Sequence, residues 1–155
     1  MTTKEFVALA RQVLPALPGF AVKNRLLLVT PIEHTLKAVH FDGSSFSKTS
    51  FYVTWFYQPL CVPSQHVSLS LGARLRLRNG IDGWTSTAPD LVPELIDAIR
   101  REAVPKLTTL QTPRDVASAG LAEFRATKTM SGWSSRPTCW RARVTPMARL
   151  PCSTN

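Results

Sequence analysis

The run Ser50-Phe-Tyr-Val-Thr-Trp-Phe-Tyr-Gln58 is the densest β-forming stretch of the chain. Aromatic and β-branched residues suit a pleated, half-buried surface. The two-residue period of a strand sets Phe51, Val53, Trp55 and Tyr57 on one face. A strand this apolar on one side needs neighbours to pair with and a layer to cover it, so the fold follows from what the flanking sequence offers.

Upstream, Thr35 to Phe41 alternates, with Leu36, Ala38 and His40 on one face and Lys37, Val39 and Phe41 on the other. Arg25 to Thr30 is a shorter apolar run. Downstream, His66 to Arg78 alternates almost strictly: Val67, Leu69, Leu71, Ala73, Leu75 and Leu77 stand against Arg74, Arg76 and Arg78. Gly- and Ser-bearing turns separate these runs, at Asp42-Gly43-Ser44-Ser45 and Asn79-Gly80. Short loops between alternating segments predict an antiparallel sheet of about four strands with one covered face.

Helical periodicity flanks the sheet. Thr2 and Glu5 have capping-box spacing, and Phe6, Leu9, Ala10, Val13 and Leu17 form one apolar stripe. Pro15 and Pro18-Gly19 predict a stop near Leu14. Asp90 stands where it can cap a helix bearing Leu91, Leu95, Ile96 and Ile99, with Pro93 tolerated in the first turn. Pro105 breaks or kinks that helix, and Asp115 to Phe124 has the pattern of one more. The expectation is an α+β domain over residues 1–124: an N-terminal helix and one or two C-terminal helices packed on one face of the sheet.

Composition excludes several classes. At 155 residues the chain is about one domain long. A hydrophobic content of 44% is too high for a disordered chain. No apolar run approaches the roughly 18 residues of a membrane span, so no membrane partner is expected. The first fifteen residues hold Lys4, Glu5, Arg11 and Pro15, which is no secretory pattern. Cys61, Cys139 and Cys152 are odd in number and match no metal or redox spacing, so a cytoplasmic, reduced protein is expected.

The net charge of +9 is unevenly placed. Residues 1–124 hold 13 Lys+Arg and all 10 acids, whereas residues 125–155 hold six basic residues and no acid. Helix and strand periodicity also end near Phe124. Three readings of this tail stand side by side: a basic, Trp-bearing arm that binds nucleic acid, a disordered terminus, or a shifted reading frame. The Arg/Pro/Ser/Thr/Cys/Trp bias is that of a GC-rich gene read out of frame. Back-translated with GC-rich codons and started at the third base of the Ala126 codon, the stretch yields a peptide that opens on acids. It continues with helix formers at helical spacing. On that reading most of the basic character says nothing about partners.

The order of features resembles a small bacterial family of unknown function. The resemblance rests on Pro18-Gly19-Phe20 after the first helix, Phe51-Tyr52-Val53, Arg74-Leu75-Arg76, an isolated Trp84, and Ala103 to Leu107 at a helix end. It spans roughly residues 4–117 and implies a compact helix–sheet–helix domain. It brings no catalytic residues.

Four residues stand out as candidates for binding a partner. Arg74, Arg76 and Arg78 share one side of an expected strand, about 7 Å apart, with no acid in the stretch. They form a row for phosphates or an acidic partner, or else a solvated strand face guarded by charge. Trp84, in a polar loop, is either an interface aromatic or a cap on the open end of the core. Trp55, Phe56 and Tyr57 read as a stacking platform or, more simply, as sheet packing. His34, His40 and His66 fall beside three different strands and give no metal spacing, and a Cys61–His66 pair has no third orienting group. Glu94, Asp97 and Glu102 share a helix with Arg100 and Arg101, the pattern of a self-paired exposed face. There is no phosphate-binding glycine motif, no serine nucleophile elbow and no paired-carboxylate constellation, so no cofactor is expected. These features favour a non-catalytic binding module, immunity- or adaptor-like, with another protein as partner. Nucleic-acid binding by the arginine row and tail is the alternative, and a small enzyme of unrecognised class the third.

Overall fold

The computed structural model describes residues 1–61 and 64–130, with side chains as far as residue 122. The tail beyond Met130, with Trp133 and Trp140, lies outside the described residues. Helix α1 (Thr3–Val13) starts on a complete capping box. The Glu5 amide donates to Thr2 Oγ1 at 3.4 Å, and the Thr2 amide donates to the Glu5 carboxylate at 2.5 Å. Its buried stripe is Phe6, Leu9, Ala10 and Val13. The chain then tightens into a single 3-10 turn at Leu14–Ala16, where Pro15 is tolerated, and leaves through Gly19 at φ +80°.

Six antiparallel strands follow: β1 (Phe20–Lys23), β2 (Leu26–Val29), β3 (Thr35–Gly43), β4 (Ser50–Pro59), β5 (Gly72–Arg74) and β6 (Gly83–Thr85). The order is β1-β2-β3-β4-β5, and β6 joins β5 on the same edge of β4. The class is α+β, as expected, with more strands than the four anticipated. β1 makes a hairpin with β2 through Asn24, which takes the left-handed conformation at φ 54° that Asn tolerates.

β4 is the axis of the sheet. It pairs with β3 along nine residues, from Gly43↔Phe51 to Thr35↔Pro59. Phe51, Val53, Trp55 and Tyr57 face the helices and are buried with Phe6, Val39, Phe41, Leu95 and Ile99. Phe6 packs edge-on to Phe51, with ring centroids 5.7 Å apart. The opposite face holds a smaller buried cluster of Leu28, Ala38 and Phe56.

The strand expected over His66 to Arg78 shrinks to Gly72–Arg74. Two backbone bonds extend the pairing by one residue each way, Tyr57 N to Leu71 O at 2.9 Å and Leu75 N to Val53 O at 2.7 Å. β6 occupies the rest of that edge. Further upstream the Gln58 side chain takes the place of a ladder, accepting from Ser68 N at 3.0 Å and donating to His66 O at 3.4 Å. Alternation supplies the faces of a strand, but pairing needs a free edge: β6 takes Ser50–Tyr52, where the residues after Leu75 would have paired, and beside Gln58 side-chain hydrogen bonds stand in for the ladder.

Helix α2 (Leu91–Ala98) begins at Asp90, whose side chain makes no capping bond; its carbonyl accepts from Glu94 N at 3.0 Å. Pro105 cannot donate to a carbonyl one turn back. The helix answers with a π-turn over Ile99–Ala103, in which Val104 N reaches Ile99 O, before α3 (Val104–Thr108). Helix α4 (Pro113–Met130) is longer than the expected Asp115 to Phe124, so its backbone carries helix across the composition change at residue 125. Thr112 and Asp115 cap its start reciprocally, at 2.8 and 3.2 Å.

Gly72 is the tightest point of the sheet. A Cβ there would sit 2.0 Å from the Trp55 carbonyl oxygen and 2.7 Å from Phe56 Cα, both backbone atoms that cannot swing aside. Gly83 has nothing within 4 Å of its Cβ position. Gly72→Ala is expected to lower unfolding free energy by about 1–3 kcal/mol or more. Gly83→Ala is expected to stay within about 0.5 kcal/mol. Urea denaturation of the two variants checks the contrast.

Candidate binding surfaces

The structure gives three of the four sequence candidates, Trp84, Arg74 and Arg78, supporting contacts within the fold and leaves the Arg76 side chain exposed. Trp84 is on β6, not in a polar loop. It is 1% exposed, and its indole N–H donates to Leu75 O at 3.4 Å. Of the two readings open for it, the cap on the core is the one its burial fits. Register drives this: Trp84 pairs with Phe51, which turns both rings toward the helices.

The arginine row does not form as a row. Only Arg74 lies on a strand. Its guanidinium stacks 4.0 Å from the Tyr52 ring centroid and pairs with Asp82 at 2.9 Å. Arg78 donates through two nitrogens to the two oxygens of Asp97, at 3.2 and 2.9 Å. Arg101, one helical turn after Asp97, shares that carboxylate at 2.5 Å and also donates to Arg76 O at 2.8 Å. Arg76 is exposed, close enough to Asp82 to help hold that carboxyl below the usual range. Acids remote in sequence therefore answer the row, and phosphate binding there would have to compete with them. The helix charges pair beyond their own helix as well: Arg100 reaches Ala16 O at 2.7 Å.

The remaining candidates separate. Cys61 is exposed, His66 is exposed, and His34 lies 3.9 Å from Glu33. Among the described residues no group of three or more His, Cys, Asp or Glu could hold a metal ion. Trp55, Phe56 and Tyr57 are buried, on alternate faces of β4. His40 differs from the other histidines. It is half-buried on the face away from the helices, with desolvation first and the Arg25 charge second pushing its pKa down against the pull of Asp42. Its Nδ1 is buried with no hydrogen-bond partner.

Two features were not anticipated. One is a cleft of about 520 Å³ at the end of the sheet where α1 begins, walled by Thr3 of α1, Arg25, Leu26, His40, Val67 and Leu69. Register brings two of these side chains together, because Leu26 on β2 pairs with His40 on β3. The other is Phe46, at the β3–β4 turn, with 98% of its surface exposed. A lone Phe in a Ser-rich turn carries no periodicity, so no sequence signal marked it. No family model, curated protein or solved structure matches the chain.

Two outcomes test the supporting roles. Trp84→Ala is expected to cost about 3–5 kcal/mol of stability as a core truncation, read by chemical denaturation. Asp97 is held below the ordinary carboxylate range, first by its hydrogen bond with Arg78 and then by the charges of Arg78 and Arg101. A depressed carboxyl stabilises the fold above its unfolded pKa of about 3.9 and loses that contribution as pH falls through the lower folded value. Asp97→Asn is therefore expected to be less stable than the parent at pH 7, with the difference closing in acid below about pH 4.

Proposed function

We propose that this protein is a non-catalytic binding module, immunity- or adaptor-like, that anchors a partner protein through Phe46. The observation that carries the reading is a fully exposed aromatic on a turn already held in shape. Ser44 Oγ accepts from the Phe46 amide at 3.2 Å, and Ser47 Oγ accepts from the amides of Thr49 and Ser50 at 3.3 and 3.2 Å. The Met1 ammonium donates to Lys48 O at 2.8 Å, tying the turn to the start of α1. Ordering a loop on binding costs affinity, and a turn ordered beforehand avoids much of that cost. Aromatic side chains ringed by polar ones are the usual centres of protein interfaces, and Ser45, Ser47 and Lys48 surround Phe46 in this way.

The partner presents an apolar pocket for the ring and, beside it, a polar or acidic rim for Lys48. Replacing Phe46 in cells with a benzophenone-bearing amino acid tests this by photocrosslinking, with Arg11 as an exposed control position. The expected result is one crosslinked protein whose purified form binds the parent chain. Phe46→Ser should weaken that affinity by at least about tenfold and leave the thermal midpoint unchanged, because the ring touches no core. Substrate turnover by the purified protein would overturn the reading, as would a partner indifferent to Phe46→Ser.

A further inference from the structure

The geometry points to a second, small-molecule site: the cleft at the end of the sheet where α1 begins takes an organic monocarboxylate with an apolar tail, the carboxylate on Arg25 and the tail along Leu26, Val67 and Leu69. This stands apart from the Phe46 surface and does not depend on it.

The charge pattern selects an anion. Arg25 makes no ion pair with any described residue, unlike Arg74, Arg78 and Arg101. It is nevertheless held in place, with its guanidinium 5.3 Å from the Phe6 ring centroid and Nε donating to Thr3 Oγ1 at 3.3 Å. A guanidinium positioned by a ring face and a hydroxyl, with no carboxylate of its own, is ready to receive one from outside. His40 adds a second nitrogen-bearing group to the wall.

The remaining wall selects an apolar body. Val67 and Leu69 are 49% and 37% exposed on the segment between β4 and β5, facing the cleft with Leu26. Gln58 fixes that segment through Ser68 N and His66 O, so these two side chains are presented on an anchored backbone. A volume of about 520 Å³ lies in the range of small-ligand sites. A second groove, about 370 Å³ between α1 and the approach to α2, has Glu5 as its charged side chain, and the capping box already engages it.

Titration of the full-length, isotope-labelled protein with sodium octanoate, octanol and sodium acetate tests the site by NMR. Octanoate should shift the resonances of Asn24, Arg25, Leu26, His40, Val67 and Leu69 saturably, with a Kd near or below about 1 mM. Octanol and acetate should each bind at least about fivefold more weakly, since each lacks one half of the match. Arg25→Gln should weaken octanoate by a similar factor. Because Arg25 also packs on Phe6, Val67→Asp serves as the second variant: it is exposed, spares the core and sets a like charge beside the ligand. It should weaken octanoate by a larger factor than octanol, which loses the apolar contact but meets no like charge. Absence of saturable shifts at these residues would overturn the proposal, as would equal binding of octanol and octanoate or octanoate affinity unchanged by both variants.

Discussion

The structure depends on the burial of one side of β4. Phe51, Val53, Trp55 and Tyr57 are at most 7% exposed, and each large apolar side chain removed from water contributes about 1.5–3 kcal/mol. No strand can bury such a face alone. The helices are there to cover it, and β3, β5 and β6 satisfy the backbone groups along its two edges. The closeness of the β5 edge is itself a consequence, because Gly72 has no Cβ to hold the strands apart.

Once the helices have taken one face, the other must be finished by something smaller. Val67 and Leu69, on the segment between β4 and β5, do this only in part. Leu28, Ala38 and Phe56 are sealed, while Val67, Leu69 and His40 stay at the wall of an open cleft. The contrast between a closed face and a partly open one is what gives the molecule a surface to use.

The charged residues sort themselves along the same lines. Asp82 and Asp97 collect Arg74, Arg78 and Arg101 where the chain leaves the sheet and enters α2. Exposed pairs of this kind add little stability each, and their effect is to fix which guanidiniums are occupied. Arg25 is left with an aromatic face and a hydroxyl in place of an acid. The side chains that remain available, Phe46 and Arg25, are both near the end of the sheet where α1 begins.

Local pattern was enough for much of this. The capping box of α1, its apolar stripe, the stop at Pro15, the β3 and β4 faces, the helix after Asp90 and the kink before Pro105 all rest on contacts within a few residues, which sequence spacing reports directly. The candidate sites were not legible in that way. Trp84 turned inward because β6 pairs with Phe51, and the alternating run from His66 lost most of its strand because β6 took its edge after Leu75 and the Gln58 side chain replaced the ladder before Leu71. The arginine row met acids 8 and 19 residues away, distances at which spacing carries no information. By itself the sequence determined the class of fold, because periodicity dictates which side of each element must be buried. Which aromatic is exposed, which arginines meet an acid and where a cleft opens were decided by the tertiary structure, because each depends on what a distant segment does or does not bring to the same place.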